Sequence, residues 1–381
     1  MGIFRNIKIL NWTVFYFIAG YHLLLLLLLP AFIGVFSWPA MGLYFVTYVI
    51  AGLSITAGYH RLYAHKTYSA HPAFEWAVLL GSTLAFQWSA RMWAHDHRLH
   101  HAHVDTDADP YSIKKGIWYA HMGWLFSYQR EFQPKMVRDL DKNPRVLFQD
   151  RHYLPLALVV NAAVVAVGCL FMHPLAAFYA GFLLRVFTIH HSTWFINSLA
   201  HVWGSKTFAK ELSAVDNAVL AFLTFGEGYH NYHHAFAADY RNGVRWYHFD
   251  PTKWLIWTAS RLGLAKNLRS FHRIRLQRAL VRKDKQLLTP LLKSHWDELA
   301  ADIHDKLEYL DRNFQEKADR LMNLLGELKT ASKDQRLLLK GEVRRLKQEL
   351  KAMWKDWVVI TEFTAQRYQL AHVHSAPPPC R

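Results

Sequence analysis

Long stretches without Asp, Glu, Lys or Arg dominate the apolar–polar pattern of this 381-residue chain. One runs from Ile9 to His60 and another from His152 to Leu184. A bilayer core about 30 Å thick needs about 20 apolar residues per helix, so the first stretch is long enough for two spans, as is the second when it is extended to Trp194. The pattern predicts an all-α integral membrane protein with transmembrane helices in two hairpins, at about 11–36, 39–59, 152–171 and 174–194.

The distribution of Lys and Arg predicts the orientation. The segment 59–151 between the hairpins is rich in both, and Arg5 and Lys8 precede the first span, whereas the two short turns contain neither. Because Lys and Arg collect on the cytoplasmic side, we expect both termini and a helical cap between the hairpins in the cytoplasm. This rule also explains much of the formal charge of +16. Since no nucleic-acid motif occurs, nucleic-acid binding is not expected.

The carboxy-terminal part has a different composition. Apolar residues recur there at 3–4 spacing on either side of a polar stretch at 329–336, which predicts two amphipathic helices. We therefore divide the chain into a membrane domain at 1–275, a charged helical extension at 276–370 and a disordered tail at 371–381. We favour an extension that packs on its own domain. Self-association through a coiled coil and docking of an electron donor are the alternatives.

Eight of the 24 histidines form three clusters. They comprise His60 and His65; His97, His100 and His101; and His230, His233 and His234. Positions i, i+3 and i+4 share one face of a helix, so the second and third clusters each point in one direction, whereas residues five apart share a site only where the helix loosens. Each cluster follows an apolar helix on the predicted cytoplasmic side. Eight imidazoles fit two metal ions, and so many histidines in a membrane protein favour non-haem iron over zinc.

Several motifs extend this pattern into a recognisable one. They are His60-Arg-Leu-Tyr-Ala-His65, Trp93-Ala-His-Asp-His-Arg-Leu-His-His101, Asn197-Ser-Leu-Ala-His201 and Gly226-Glu-Gly-Tyr-His-Asn-Tyr-His-His234. With them the chain resembles the membrane acyl-CoA and acyl-lipid delta-9 fatty acid desaturases, the stearoyl-CoA desaturase type. The resemblance implies that the eight clustered histidines bind two irons, that His201 is a ninth ligand, and that Asn197 reaches one iron through water.

The resemblance also implies an activity. It is the oxygen-dependent introduction of a cis double bond into a saturated acyl thioester or acyl lipid, with dioxygen reduced to water by two electrons from an external donor. That donor is expected to be a separate ferredoxin, rubredoxin-like or cytochrome b5-type protein with its reductase. Residues expected to line a substrate tunnel are Gln87, Trp93, Thr193 and Trp194. Carboxylates expected to orient the imidazoles are Asp96, Asp107, Asp109 and Glu227, whereas Asp105 is interpreted as a solvated loop residue.

Other functions remain open from the sequence. A di-iron fatty acyl or alkane hydroxylase differs from a desaturase only in the placement of the substrate. A metal transporter or storage protein belongs to another class, and it would carry its ligands within the spans rather than just outside them. The sequence contains no His-Pro-Gly-Gly haem motif and no endoplasmic-reticulum retention signal, which favours a bacterial plasma membrane.

Overall fold

The structure is a computed structural model that describes residues 11–127, 131–295 and 297–368. The predicted disordered tail at 371–381 and the basic residues Arg5 and Lys8 therefore lie outside the described residues. The described part is mostly helical, as predicted, and contains a two-stranded antiparallel sheet of β1 (Ser69–Ala70) and β2 (Ala265–Lys266).

The chain forms two compact units. The first contains the residues up to Ser205 and from Glu211 to Ser270. The second contains the residues from Phe271 onward together with the short segment Lys206–Lys210. The second unit thus begins close to the predicted start of the extension, but the sequence does not reveal that a segment far upstream belongs to it.

The first two helices match the first two predicted spans. Helix α1 (Trp12–Gly34) follows Asn11, whose side chain accepts a hydrogen bond from the backbone N–H of Val14 at 3.2 Å. Helix α2 (Trp38–Ser54) has a proline in its first turn, where no backbone N–H is needed, and continues as a π-helix (Ile55–Ala64). By length and composition Trp12–Gly34 and Trp38–Ala64 are candidate membrane spans.

The third and fourth predicted spans are bent or divided into short helices, unlike the first two. Helix α6 (Pro144–Arg151) meets α7 (Tyr153–Gly168) at a bend of 80°. The two helices are a span candidate only if together they form a single bent span. The fourth consists of α8 (Pro174–Phe178), a π-helix (Tyr179–Leu184) and α9 (Arg185–Asn197) in direct succession. Arg185, His190 and His191 lower its hydropathy. By length and composition the described residues contain two span candidates, or up to three, so the four predicted spans are not confirmed.

Arg185 illustrates how this region accommodates a charge. The side chain is completely buried, so it does not extend to a membrane interface. Its guanidinium donates to the carbonyl of Gly181 at 2.8 Å, to the carbonyl of Leu84 and to the side-chain oxygen of Asn161. These bonds satisfy a group whose burial would otherwise be costly.

The remaining helices of the first unit lie between and after the predicted hairpins. They are α3 (Pro72–Thr83), α4 (Ala90–His103), α5 (Trp124–Ser127), α10 (Ala218–Leu223), α11 (His230–Ala235) and α12 (Pro251–Arg261). Short 3₁₀ turns occur at Ile113–Lys115, Pro134–Met136, Leu140–Lys142 and Leu199–His201, and a π-helix at Tyr119–Gly123. Helices α3, α4 and α12 all pack against the π-helix that ends α2, so that π-helix is the structural centre of this region.

The second unit contains three helices, α13 (Arg273–Ser294), α14 (Glu298–Thr330) and α15 (Lys333–Arg367). The two amphipathic helices predicted from the 3–4 spacing correspond to α14 and α15, whereas α13 was not predicted. Helix α14 packs against both others. Ion pairs such as Lys317–Glu349 at 2.5 Å and Arg278–Asp319 at 2.6 Å join neighbouring helices, which explains the high density of charge in this part of the chain.

Candidate metal centre

The π-helix brings the two histidines of the first cluster to one place. The backbone N–H of His65 donates to the carbonyl of His60 at 3.1 Å, which is the i to i+5 bond of a π-helix. The ring centroids of His60 and His65 are 4.8 Å apart. The loosening of the helix that the five-residue spacing required is therefore present at these two residues.

The histidines assemble into two groups of four. In each group one nitrogen per imidazole lies within 4.8 Å of the others. The first, here called group A, contains His60, His65, His97 and His233, and the second, group B, contains His100, His201, His230 and His234. Neighbouring positions of α4 and of α11 therefore serve different groups, so the predicted sharing of one helix face holds only in part.

The nitrogen–nitrogen distances fit metal coordination. Within group A the Nε2 atoms of His60 and His233 are 3.0 Å apart, and those of His65 and His97 are 2.8 Å apart. In group B the corresponding distances lie between 3.0 and 3.2 Å. Because a metal–imidazole bond is about 2 Å long, two ligands at right angles on one ion are separated by about 3 Å. Both groups therefore match the spacing of ligands around an ion.

Two residues expected at the metal centre lie outside both groups. They are His101, predicted as a ligand, and Asn197, predicted to reach one iron through water. The Nε2 of His101 is 2.9 Å from the Nε2 of His233, and its ring stacks on that of His234 at 4.3 Å. This position between the groups makes His101 available to either. Asn197 is the last residue of α9 and lines the cavity described below together with His230.

Several Nδ1 atoms, on the far side of the rings from Nε2, lie beside polar groups. His100 contacts Asp109 at 2.9 Å, and His60 lies 2.8 Å from Oε2 of Glu227. Both carboxylates are among those predicted to orient imidazoles. The Nδ1 of His97 meets the hydroxyl of Tyr111 at 3.2 Å, a contact that the sequence did not predict. Such partners hold a ring so that its Nε2 faces the metal.

Glu227 is in turn held by a buried ionic network. The guanidinium of Arg61 donates to Oε1 of Glu227 at 2.9 and 3.1 Å and to both carboxylate oxygens of Asp250 at 2.9 and 3.2 Å. All three residues are at most 2% exposed. Burial raises the pKa of Glu227, but His60 and Arg61 outweigh it and leave that pKa below its ordinary value. The carboxylate beside His60 is therefore ionised.

A glycine permits the close approach of this network. Gly226 adopts a φ of +104°, and a Cβ at that position would lie 2.6 Å from an oxygen of Asp250. Both the left-handed backbone and the lack of space restrict the position to glycine. This explains the first glycine of the Gly-Glu-Gly-Tyr-His motif.

The other predicted carboxylates have different surroundings. Asp96 is buried and contacts Nδ1 of His95 at 3.0 Å, and His95 belongs to neither group. Asp107 is exposed, and the structure does not bring its side chain to the histidines. Asp105 is not the solvated residue that we expected, because its carboxylate accepts from the backbone N–H of Ser213 at 2.7 Å and from the Ser213 hydroxyl. That hydroxyl contacts Nδ1 of His201 at 2.6 Å.

The histidines are electrostatically prepared to bind a metal. Burial, reinforced by neighbouring imidazoles, lowers the pKa of His65, His97, His101, His230, His233 and His234 well below the ordinary value. The rings are therefore neutral near pH 7, and a neutral imidazole offers one nitrogen lone pair. Imidazole donors suit Zn, Cu, Fe and Ni, so the donor set defines the site without selecting the metal.

A cavity of about 460 Å³ reaches both groups, since His60 and His97 of group A and His230 of group B are among its lining residues. All four predicted tunnel residues line it, namely Gln87, Trp93, Thr193 and Trp194. Apolar side chains from α1, α7 and α9 complete the lining. The volume lies within the range of small-molecule pockets in proteins.

Comparison with known proteins gives a consistent result. The family model described as "Fatty acid desaturase" matches residues 36–266. The chain is 42% identical over 290 residues to a probable acyl-CoA desaturase of Schizosaccharomyces pombe, covering 73% of this chain and 59% of that protein. It is 37% identical to acyl-CoA desaturase 1 of Saccharomyces cerevisiae, covering 71% and 54%, so the match spans little more than half of each yeast relative. With the sn-2 palmitoyl-lipid 9-desaturase of Nostoc sp. it shares 38% identity, over 68% of this chain and 90% of that protein.

Proposed function

The chain belongs to the fatty acid desaturase family, and on that premise we propose that it is an oxygen-dependent fatty acyl desaturase of the delta-9 type. Its substrate is a saturated acyl chain, carried as a thioester or in a lipid, and its product carries a cis double bond. The substrate gives up two hydrogens with their electrons. An external donor supplies two electrons, solvent supplies two protons, and dioxygen becomes two waters.

The observation that carries this proposal is the connection between the cavity and the histidine groups. An acyl chain is recognised chiefly through its methylenes, each of which contributes about 0.8 kcal/mol when it leaves water. A cavity with a mainly apolar lining that has His60, His97 and His230 in its wall places such methylenes beside both groups.

Residues around the cavity support a role in positioning the chain. The side-chain N–H of Gln87 donates to the hydroxyl of Thr193 at 2.9 Å, which fixes two polar groups in a mainly apolar wall. The residues on either side, Phe86 and Trp88, have φ values of +50° and +68°. Backbone strain of this kind is often found at functional sites. Trp93 stacks on His97 with centroids 4.8 Å apart, which joins the wall to group A. Fixed geometry of this kind selects which bond reacts.

We propose iron as the metal, with two ferrous ions in the resting state. Iron supplies the dioxygen-dependent oxidation of unactivated C–H bonds that no side chain can perform by acid–base chemistry. The chain's own residues keep six of the proposed ligands neutral by burial, direct Nε2 atoms of the imidazoles inward, and hold the acyl chain away from water. The family relationship supports the choice of iron, and the ligand spacing supports two ions.

The proposal includes partners and location. The two electrons come from a separate electron-transfer protein of the ferredoxin, rubredoxin-like or cytochrome b5 type. Four spans place the termini and the metal centre in the cytoplasm of a bacterial cell, and the Nostoc relative, 90% of which is matched, supports a bacterial membrane. In a variant without Cys169 and Cys380, a cysteine at His173 should react with an impermeant maleimide from outside the cell, and one at Lys266 should not. The reverse pattern would contradict this orientation.

Lipid profiling tests the activity. A host that expresses the wild-type chain should accumulate a monounsaturated acyl species that is absent with His233→Ala, which removes a group A ligand. His103→Ala is the matched control, because His103 lies at the exposed end of α4 and in neither group, and it should retain the product. The same species in the His233→Ala host would contradict the assignment of the site. A hydroxy acid in place of the alkene would identify the chain as a hydroxylase.

A further inference from the structure

Two successive backbone carbonyls just after α3 accept hydrogen bonds from side chains of α9. The guanidinium of Arg185 donates to the carbonyl of Leu84, and Nε2 of His190 donates to that of Ala85 at 2.8 Å. Carbonyls at the end of a helix have no partner within the helix, and here both donors come from residues 101 and 105 positions further along the chain. These bonds hold the first half of the segment 84–88, which leads from α3 towards α4.

The segment 84–88 forms part of the cavity wall, since Phe86, Gln87 and Trp88 are all lining residues. We infer that Arg185 and His190 are positioning residues that hold this segment in place and thereby select which carbon–carbon bond of the acyl chain lies beside the histidine groups. This inference rests on the proposed function and assigns to it two residues that belong to neither histidine group.

The tautomer of His190 follows from its two contacts. A carbonyl oxygen can only accept, so Nε2 carries the proton that bonds to the carbonyl of Ala85. In the neutral ring Nδ1 is then an acceptor, and the hydroxyl of Tyr21, 3.0 Å away, donates to it. Tyr21 and His190 are each 3% exposed, so water does not compete for these bonds. The hydroxyl of Tyr21 on α1 therefore acts on the cavity wall through His190.

The backbone of the segment 84–88 is strained and has to be held. Phe86 and Trp88 have φ values of +50° and +68°, which side chains other than glycine rarely adopt. Such a conformation persists only when the surrounding contacts maintain it. The carbonyl of Trp88 accepts from the hydroxyl of Tyr59 at 3.0 Å, so the segment is held at both ends. Loss of either hold should let it relax towards ordinary backbone angles.

Gln87 connects the hold on the backbone with the acyl chain. It lines the cavity, and its side chain donates to the hydroxyl of Thr193 at 2.9 Å. His190 lines the same cavity and lies three residues before Thr193, on the same face of α9. A shift of the segment therefore moves this part of the wall relative to the histidine groups. A displacement of about 1 Å can change a rate ~100-fold, so a small shift is enough to change which bond reacts.

Lipid profiling of a host that expresses the full-length chain, with location of the double bond, tests the inference. The wild-type chain should place the double bond at one position. His190→Phe keeps a ring but removes both hydrogen bonds, so the ratio of displaced to undisplaced double bonds should rise roughly fivefold, as expected for one typical hydrogen bond. His190→Gln retains a donor and an acceptor, and it should retain the wild-type position.

Two further variants and a matched control address the same path. Arg185→Lys keeps the charge but replaces the planar fork by a single ammonium, and it should also raise the displaced fraction. Tyr21→Phe removes the hydroxyl behind His190 without changing a lining residue, and its effect should be smaller. Tyr179→Phe is the control, because the hydroxyl of Tyr179 also bonds to α1, at the carbonyl of Leu25 and 3.0 Å away, but Tyr179 does not line the cavity. It should retain the wild-type position.

The position of the double bond separates positioning from general loss of structure. A merely structural role would lower the total yield and leave the double bond where the wild-type chain places it. That result in His190→Phe and Tyr21→Phe would overturn this inference alone, as would an equal rise of the displaced fraction in Tyr179→Phe. If His190→Phe does not accumulate, Tyr21→Phe decides. A wild-type chain that yields no monounsaturated acyl species would overturn the proposed function and this inference with it.

Discussion

The carboxylate of Glu227 lies with Oε2 2.8 Å from Nδ1 of His60, while its other oxygen accepts two hydrogen bonds from Arg61. His60 and Arg61 are consecutive in sequence, yet one faces the candidate metal site and the other the ionic network behind it. The guanidinium keeps the carboxylate ionised, and the carboxylate orients the imidazole. The charge pair thereby connects the centre of the fold to a proposed metal ligand.

This relationship predicts the effect of neutralising Glu227. Glu227→Gln preserves size but removes the charge beside His60, so the affinity of group A for ferrous iron should fall roughly 10- to 100-fold. The affinity of group B should not change. Metal titration measures both. Glu75→Gln is the control, because Glu75 is a buried glutamate whose partners, Arg145 and Asn143, belong to neither histidine group. If both variants lost the same affinity for ferrous iron, the effect of Glu227→Gln would come from neutralising a buried carboxylate and not from its contact with His60.

The cavity predicts a change in product for Thr193→Val. The substitution keeps the shape of the side chain but removes the acceptor for Gln87, which costs about 1–3 kcal/mol for the unpaired amide. The acyl chain should then be held less precisely, and the double bond should appear at more than one position. Mass spectrometry of the derivatised product locates the bond.

A second threonine on α9 provides the control for that experiment. Thr188 accepts from Tyr44 at 3.2 Å and donates to the carbonyl of Leu184 at 2.7 Å, but it does not line the cavity. Thr188→Val should lower stability without altering the position of the double bond. The proposed role of Thr193 in the cavity wall would be contradicted if the double bond moved in Thr188→Val. It would also be contradicted if the double bond stayed at one position in Thr193→Val.

Stability should depend on pH through Asp139. Burial raises the pKa of this carboxyl, but hydrogen bonds from Arg98 and Lys66 outweigh burial and bring it to about 2. An unfolded aspartate has a pKa of about 3.9. The folded pKa is the lower one, so the stabilisation is complete above about pH 4 and disappears as the pH falls through 2.

Thermal unfolding of the metal-free chain measures this effect. The unfolding midpoint of Asp139→Asn should lie below that of the wild type at pH 7, and the gap should shrink between pH 4 and 2. The gap should be modest, because Asp139 is partly exposed and solvent screens the pair. A gap that stays constant over this range would show that Asp139 acts through shape and not through charge.

The spacing of the histidines along the sequence predicted much of the candidate metal centre. The i, i+3 and i+4 histidines lie on single helices, and the five-residue spacing of His60 and His65 coincides with a π-helix. Eight of the nine expected ligands could be recognised from local patterns. His201 could not, because it stands in a 3₁₀ turn far from the other clusters, and only the family resemblance pointed to it.

The remaining features depend on contacts between distant segments. Arg61 lies 166 positions from Glu227 and 189 from Asp250 along the chain, and nothing local in the sequence relates it to either carboxylate. Asp105 was misinterpreted for the same reason, since its partner Ser213 is 108 residues away. The prediction of four spans is not confirmed, because only two helices of the described residues, or up to three, are span candidates by length and composition, and the fourth predicted span contains Arg185, His190 and His191.

Anomalous X-ray scattering at the iron edge from crystals of the ferrous-loaded chain would locate the two proposed iron ions. We expect two peaks in the difference map, one about 2 Å from the Nε2 atoms of His60, His65, His97 and His233, and the other at the same distance from those of His100, His201, His230 and His234. A single peak, or a signal that appears only at the zinc edge, would contradict a two-iron centre in groups A and B.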